Sequence, residues 1–403
     1  MSGQNLPLVS VITPSYNQGL FIRETIESVL FQDYPNLELI VIDGGSTDQT
    51  LAILESYSHL GDRFRFVSEP DRGQSHAINK GLAMAKGEII GWLNSDDTYL
   101  PGAIRKAVDT LLSNPAWAMV YGNAFTIDEK SQIQAPYYVA PADFQKLMHG
   151  CMICQPAVFL RKEVLQKVGG IDESLHFCMD YDLWIRISRE HSIGYLPEYL
   201  ANARNHDACK TSLQWSTRGI FEVIKTCMKH YGTISETWLT TYFTYHQDKG
   251  ITGLFSLLKD PAAAEQASLI TDMNRYEDLW VPPRFTFSVI SDPVHPVCAL
   301  LIIGKLPPTR SLPPSPHYRF RCSILVNSHI VKKTVVGKDF ILEIPVNPEQ
   351  AYQQIEVHSS HHFSIGDPQR MVSFMAKEVI PLSAEQLKCY HSIAHSNLFR
   401  KHA

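Results

Sequence analysis

Two adjacent carboxylates, Asp96 and Asp97, stand where the apolar run Gly87-Glu88-Ile89-Ile90-Gly91-Trp92-Leu93 stops. Such a run reads as a buried strand, and Pro101 beyond it is placed to open the next helix. In an open α/β sheet, ligands bind outside the carboxyl ends of the strands. Carboxylates at that edge can hold a hard divalent cation, Mg2+ or Mn2+, which can bridge the phosphate oxygens of a substrate. An Asp-Asp pair by itself is more often a solvated turn with a helix cap. The flanking segments argue for the chemical reading. Asp43 ends a second apolar run, Glu38 to Ile42, and opens the loop Asp43-Gly44-Gly45-Ser46-Thr47-Asp48-Gln49-Thr50. Ser46 with Gln49 has the capping-box pattern for the following helix. Asp43 has no such duty, so its carboxylate is free to accept hydrogen bonds from a nucleobase or a ribose.

Elements must carry these loops to one place. Leu8 to Thr13 is a β-rich run that Pro14 ends. Phe21 to Phe31 is predicted helical, with Ile22, Ile26, Val29 and Leu30 on one face. Glu38 to Ile42 completes a βαβ unit, so its strands are parallel with a right-handed crossover. Both loops then open on the same edge of the sheet. A strand at Arg65 to Ser68, a helix at Ser75 to Ala85, a helix at Pro101 to Ser113 and a strand at Trp117 to Tyr121 extend the unit. The alternation predicts an α/β fold with a mainly parallel sheet covered by helices on both faces.

Composition sets the bounds. The 403 residues are 44% hydrophobic and 19% charged with net charge −5, an ordinary globular balance that gives no reason to expect nucleic-acid binding. No apolar run reaches transmembrane length, and Met1-Ser2-Gly3-Gln4-Asn5 is not a signal peptide, so the expected location is the cytoplasm. The eight cysteines lack framework spacing, which fits reduced thiols. Cys151 and Cys154 form one CxxC without a second pair at zinc spacing, and read as buried strand residues.

From about Leu8 to about Ser212 the chain resembles a family 2 glycosyltransferase of the GT-A fold. The resemblance is carried by Pro14-Ser15-Tyr16-Asn17, Thr25-Ile26-Glu27-Ser28-Val29, Gln32, Asp43-Gly44-Gly45-Ser46-Thr47-Asp48, Asn79-Lys80-Gly81, Ala85-Lys86-Gly87-Glu88 and Asn94-Ser95-Asp96-Asp97. Each piece is weak alone; in this order and spacing they are specific. The resemblance implies nucleotide-sugar donors, inversion at the anomeric centre, and Mg2+ or Mn2+. It implies that Pro14, Tyr16 and Asn17 line the nucleotide pocket. Asp43 would read the base, with Asp48 supporting its loop. Asp71, Asn79 and Lys80 would approach ribose and diphosphate, Asp96 the ribose or donor sugar, and Asp97 would be the main metal ligand. Many relatives carry an arginine where this chain has Ile78, which leaves Arg72 or Lys80 as helpers to the metal at the diphosphate.

The second half of the pattern is Gln155-Pro156-Ala157-Val158-Phe159-Leu160-Arg161, Gly169-Gly170-Ile171-Asp172-Glu173 and Asp180-Tyr181-Asp182-Leu183-Trp184-Ile185-Arg186. The family's usual Glu-Asp pair is Met179-Asp180 here, and the resemblance puts the catalytic base on Asp180. A free aspartate has a pKa of roughly 3.9, so Asp180 would serve as a base at neutral pH without special tuning. Asp182 reads as a first-turn helix charge, and Trp184 as a core residue. Arg204-Asn205-His206 resembles the family's Arg-x-His, with His206 a metal ligand or both side chains on phosphate. Ala140 to Cys154 borders the acceptor on this reading.

Trp215 to Lys259 reads as helices and Asp260 to Asp278 as a further helical connector. From about Val281 the chain becomes rich in proline, with β-rich runs at Ala299 to Ile303, Tyr318 to Val326, Phe340 to Ile344, Gln354 to His358 and Val372 to Ile380. That spacing predicts an antiparallel β-sandwich. The expected division is a catalytic domain at 1–213, a helical connector at 214–279 and an accessory β-domain at 280–403. The expected partners are a nucleotide-sugar, probed first among UDP-sugars, and a saccharide or lipid-linked acceptor; peripheral membrane association and a homo-oligomer are compatible with the chain. A nucleotidyltransferase would not need the Asp180 run. A processive synthase would need membrane helices and Gln-x-x-Arg-Trp. A carbohydrate-binding protein with an inactive transferase domain would not need Asp43, Asp97 and Asp180 intact.

Overall fold

A computed structural model describes residues 6–246, 270–291, 296–306, 319–337, 339–365 and 367–394. The chain divides into two compact units, Met1–Thr226 and Cys227–Ala403.

The first unit runs β1 (Val9–Ser15), α1 (Ile22–Leu30), β2 (Leu37–Asp43), α2 (Thr50–Ser56), β3 (Phe64–Ser68), α3 (Gln74–Met84), β4 (Ile89–Trp92), β5 (Thr98–Tyr99) and α4 (Ala103–Ser113). It continues through β6 (Trp117–Ile127), β7 (Ile133–Pro136), α5 (Phe144–Leu147), β8 (Val158–Arg161), α6 (Lys162–Val168), α7 (Met179–Glu190), β9 (Ser192–Arg204), α8 (Lys210–Gln214) and the start of α9 (Ile220–Tyr231). One sheet takes the order β3-β2-β1-β4-β8-β6-β9-β5, with β7 beside β6. It is parallel across β3-β2-β1-β4 and mixed beyond, since β8 runs antiparallel to both β4 and β6. The parallel half places the ends of β1 to β4 on one edge, as the βαβ reading requires.

Strand periodicity decides which helix covers which face. Val9, Val11, Leu39 and Val41 enter one core with Ile22, Ile26 and Val29 of α1 and Ile104, Ala107 and Val108 of α4. Ile12 and Ile42, one step out of phase, face α3 on the other side. A Cβ on Gly81 would come within 2.5 Å of Ile12 Cγ2, so α3 lies on β1 as closely as glycine permits. Burying each of these aliphatic side chains stabilises the sheet by about 1.5–3 kcal/mol at most. Glu38, a buried carboxylate inside β2, accepts from Ser10 Oγ, Lys86 N and Arg65, and so fixes the chain's entry into β4. Gly87 follows there because a Cβ would meet Leu8 O and Ser10 N at 2.6 Å.

Several expectations change. Pro14 does not end β1, which continues to Ser15; β4 pairs β1 only as far as Ile12, and beyond it β1 is paired on one side, where proline is tolerated. Cys151 and Cys154 lie in the loop before β8 and not in a strand. The Ser46–Gln49 capping box does not form: the carboxylate at the start of α2 is that of Asp48, which accepts from Thr50 N at 2.9 Å and from Gly19 N at 2.9 Å. Ser46 is drawn instead into the loop contacts described below.

In the second unit, α10 (Glu236–Tyr245) is followed, after residues outside the description, by an antiparallel β-region. Its strands are β10 (Ile270–Thr271), β11 (Arg284–Ile290), β12 (Ala299–Lys305), β13 (Phe320–Val326), β14 (His329–Val336), β15 (Asp339–Pro345), β16 (Tyr352–Ser359), β17 (Phe363–Ile365), β18 (Asp367–Val372) and β19 (Met375–Leu382), with α11 (Ala384–Ala394) last. A sheet β10-β11-β16-β13-β14 and a sheet β15-β12-β19 share a core of Phe285, Phe287, Leu300, Ile302, Phe320, Ile324 and Phe374. The sandwich expected from the spacing is therefore present, with β10, β11, β14, β17 and β18 added to the strands read from sequence and the run Val372 to Ile380 divided between the end of β18 and β19. The expected helix at Asp260 to Asp278 lies partly outside the described residues; within them, Ile270–Thr271 is a strand paired to β11. Among the described residues no helix is long and apolar enough to cross a membrane.

Candidate active site

The loops after β1, β2 and β3 are tied to one another. Asn17, held at φ 53°, accepts from Thr47 N through Oδ1 at 2.9 Å and donates its own N–H to Ser46 Oγ at 2.7 Å. Ser46 Oγ in turn donates to Asp43 Oδ1 at 2.5 Å. Asp43 also accepts from Ser46 N at 2.9 Å and from Ser68 Oγ at 2.7 Å, and is fully buried. Its carboxylate therefore does hold its own loop, a duty the sequence reading denied it. Pro14 lies within β1, while Tyr16 projects from the same loop, 61% exposed, as an open aromatic face. Asp71 accepts from Gly73 N at 2.7 Å and lies against Gly44.

The turn after β4 is gripped from several sides. Thr25 of α1 donates to the carbonyls of Ser95 at 2.9 Å and Asp97 at 2.8 Å. Asp97 is 5% exposed; its Oδ1 accepts from Arg204 N at 2.9 Å and its Oδ2 from Asn94 Nδ2 at 3.1 Å. Burial, and then the charge of Asp96, hold the Asp97 carboxyl well above the usual carboxylate range. Asp96 Oδ2 lies 3.2 Å from His206 Nε2, and the His206 ring packs on Phe21. His206 is thus brought to Asp96, the sequence neighbour of Asp97.

That donor set suits a hard divalent cation. A buried carboxylate that cannot easily hold its charge alone, a second carboxylate and an imidazole offer oxygen and nitrogen donors. Among the described residues no three His, Cys, Asp or Glu side chains are grouped so as to hold a metal ion by themselves. Mg2+ and Mn2+ sites at phosphates are commonly of this kind, with one or two carboxylates and the substrate's oxygens completing the shell.

The expected cations are placed differently from one another. Arg204 has a fully buried side chain: Nε donates to Asp96 O at 2.7 Å, Nη1 to Asp128 O at 2.8 Å, and Nη2 to Glu24 at 2.6 Å. It clasps the Asp96–Asp97 turn, and its donors point into the protein. Arg72 pairs with Glu173 at 2.7 Å and Lys80 pairs with Glu69. Asn79 bridges α3 to the loop before α7, through Ile171 N, Ile171 O and Glu173. Ile78 is buried.

Asp180 lies in the first turn of α7, which begins at Met179, and accepts from Tyr181 N at 2.8 Å. Burial raises its pKa, against the opposing pull of that N–H and of the Lys210 cation. The expectation that it would need no tuning is thereby corrected. The charges of Asp97 and Asp180 both act on the buried Cys154 thiol, which burial foremost pushes well up. Asp182 is a buried partner of Arg186 at 2.7 Å, and Trp184 is core, as read from sequence.

Lys210 joins the site although no motif in the sequence marks it. Its Nζ donates to Gln74 Oε1 at 2.6 Å and to His176 O at 2.8 Å, and desolvation lowers its pKa to about 8. Gln74 Nε2 donates to Asn94 Oδ1 at 2.9 Å. A continuous polar chain therefore runs from Asp97 through Asn94 and Gln74 to Lys210 and the turn before α7. The one sequence signal was a lysine four residues beyond His206.

Residues 10–169 match the model of glycosyl transferase family 2. This is a glycosyltransferase family 2 domain. An uncharacterised glycosyltransferase of Rickettsia typhi is 36% identical over 222 residues, covering 51% of this chain and 66% of the relative. The chondroitin synthase of Escherichia coli is 31% identical over 185 residues, 46% of this chain and 27% of that protein. Among solved structures, residues 1–349 of Staphylococcus aureus TarS, in complex with UDP-GlcNAc, align with a TM-score of 0.48 at 20% identity, covering 64% of this chain and 78% of that one. The family match ends before Asp180, so the family 2 domain as matched includes Asp43, Asp96 and Asp97 but not the candidate base.

Proposed function

We propose that the chain is an inverting glycosyltransferase that moves a sugar from a nucleotide-sugar to a saccharide or lipid-linked acceptor. The observation that carries this is Asp97: a carboxylate buried at a strand end, beside a second carboxylate, in a family 2 domain. Such a group is stable at neutral pH with a proton or a cation on it. A divalent cation bound there would neutralise charge on the leaving diphosphate. Asp97 and Asp96, with His206, would hold it, and Tyr16, Asn17 and the Asp43 loop would receive the nucleotide. Asp180 would take the proton from the acceptor hydroxyl as it attacks the anomeric carbon, opposite the leaving nucleotide. Its raised pKa makes it a better proton acceptor than an exposed aspartate once ionised. The chondroitin synthase similarity supports a saccharide acceptor, and UDP-sugars come first and dTDP-sugars next among the donors to try.

Nucleotide release from a panel of UDP-, dTDP- and GDP-sugars tests this reading. Release is expected with at least one donor in Mn2+ or Mg2+, and loss of it in EDTA and in Asp97→Ala. Full turnover by the wild-type protein in EDTA would remove the metal mechanism.

A further inference from the structure

The turn that delivers Asp180 is held from outside the matched family region. One carboxylate, Glu222 of α9, accepts from three successive backbone N–H groups. Its Oε2 accepts from His176 at 3.0 Å, Phe177 at 2.6 Å and Cys178 at 3.3 Å. These are the residues from which α7 springs, and Cys178 at its N-cap offers no side-chain hydrogen bond of its own to the helix. Backbone N–H groups drawn out of water in such a turn need partners of their own. Glu222 is 9% exposed, and Arg218 one turn earlier binds its Oε1 at 2.8 Å. Burial works against the Glu222 charge, but the N–H groups and Arg218 overcome it and lower its pKa. Lys210 closes the same turn from its other polarity, donating to His176 O at 2.8 Å. Phe177 packs on Trp215, and Cys178 Sγ meets Thr226 Oγ1 at 3.2 Å, so the whole stretch 210–226 lies along this turn.

We infer that Glu222, assisted by Lys210, is a positioning residue for Asp180: the two side chains clamp the 176–178 turn and thereby set where the candidate base stands. This rests on the reading of Asp180 as the base. Neither side chain needs to touch substrate. Lys210 also joins the clamp to Gln74, Asn94 and Asp97, so the base turn and the metal turn share one polar frame. The working catalytic unit then extends through Thr226, beyond the boundary at 213 expected from sequence, because removal of α9 would leave three N–H groups at the start of α7 without their acceptor.

The test compares Glu222→Ala with Glu222→Gln in the full chain. Glutamine can keep a carbonyl oxygen on the three N–H groups while losing the charge; alanine cannot. Hydrogen exchange at amides 176–178 is expected to accelerate in Glu222→Ala and to stay near wild type in Glu222→Gln. Nucleotide release from UDP-GlcNAc and GDP-mannose, measured with Mn2+, is expected to lose on the order of tenfold to a hundredfold in kcat in Glu222→Ala. KM for the donor, and UDP–Mn2+ affinity by calorimetry, should stay within about twofold, since Lys210, Gln74 and Asn94, which reach Asp97, keep their own bonds in this variant, and the Gln variant should recover most of kcat. Should the alanine variant not fold, Glu222→Asp, one methylene too short to span the turn, carries the same expectation. Unchanged exchange at 176–178 in the alanine variant would overturn the clamp. So would an equal loss of kcat and UDP affinity, or failure of Gln to rescue. Release from neither donor by the wild-type protein would count against these two sugars as donors, and the exchange measurement would then decide the clamp by itself.

Discussion

Asp180 carries two readings that a single substitution separates. As a helix-start charge it accepts from Tyr181 N, and Asn would do so nearly as well. As the base it must take a proton, which Asn cannot. Asp180→Asn is therefore expected to lose on the order of a hundredfold to ten-thousandfold in kcat with little change in nucleotide affinity. Burial, the leading influence on Asp180, raises its pKa, so the ionised, active form persists only above that raised value. The acid limb of the rate should then fall at a pH above the ordinary aspartate value of roughly 3.9. A near-normal kcat in folded Asp180→Asn, or an acid limb at or below the ordinary value, would move the base elsewhere.

At the scale of elements, the site is a set of strand ends closed by side chains from other elements. β9 ends at Arg204, and the Arg204 backbone N–H and guanidinium reach Asp97, Asp96 O and Asp128 O. Through Nη2 it reaches Glu24 of α1, whose side chain is 47% exposed, so that ion pair adds little once screened. The larger loss on substitution is the part-buried Asp96 carbonyl left without its guanidinium donor, while Asp128 O keeps the Ser131 N–H at 3.1 Å. Arg204→Met should lower stability by about 2–4 kcal/mol, read from the denaturant midpoint, and weaken UDP–Mn2+ binding through a loosened metal turn. A change under about 0.5 kcal/mol would show that the backbone bonds alone hold the turn.

At the scale of the molecule, the two units have separate cores, and the matched family region lies wholly in the first. The β-region, which we assign an accessory or oligomerisation role, offers none of the candidate site residues. A chain ending at His246 should keep donor hydrolysis, even where transfer to an acceptor falls. A cut near Met273 is less suitable, because it would leave Ile270–Thr271 without its partner strand β11. Loss of UDP–Mn2+ binding in a folded protein ending at His246 would show that the donor site draws on the second unit.

What the sequence could determine by itself was local. Continuous apolar runs, a helix with Ile22, Ile26, Val29 and Leu30 on one face, and carboxylates beyond the strands are written in consecutive residues. Parallel βαβ geometry then obliges Asn17, Asp43, Asp71 and Asp97 to share an edge. The tertiary structure alone decided how their charges are held. Arg204 meets Glu24 across 180 residues of chain, Lys210 meets Gln74 across 136, and Glu222 meets Phe177 across 45. Such pairings follow from which faces pack together, and no local pattern records them. The same holds for Ser46, whose spacing to Gln49 suggested a cap, but whose hydroxyl is drawn to Asp43 and Asn17 once the loops converge. Burial of Asp97 and Asp180 is likewise a property of the assembled fold, because desolvation depends on what surrounds a carboxylate and not on its neighbours in sequence.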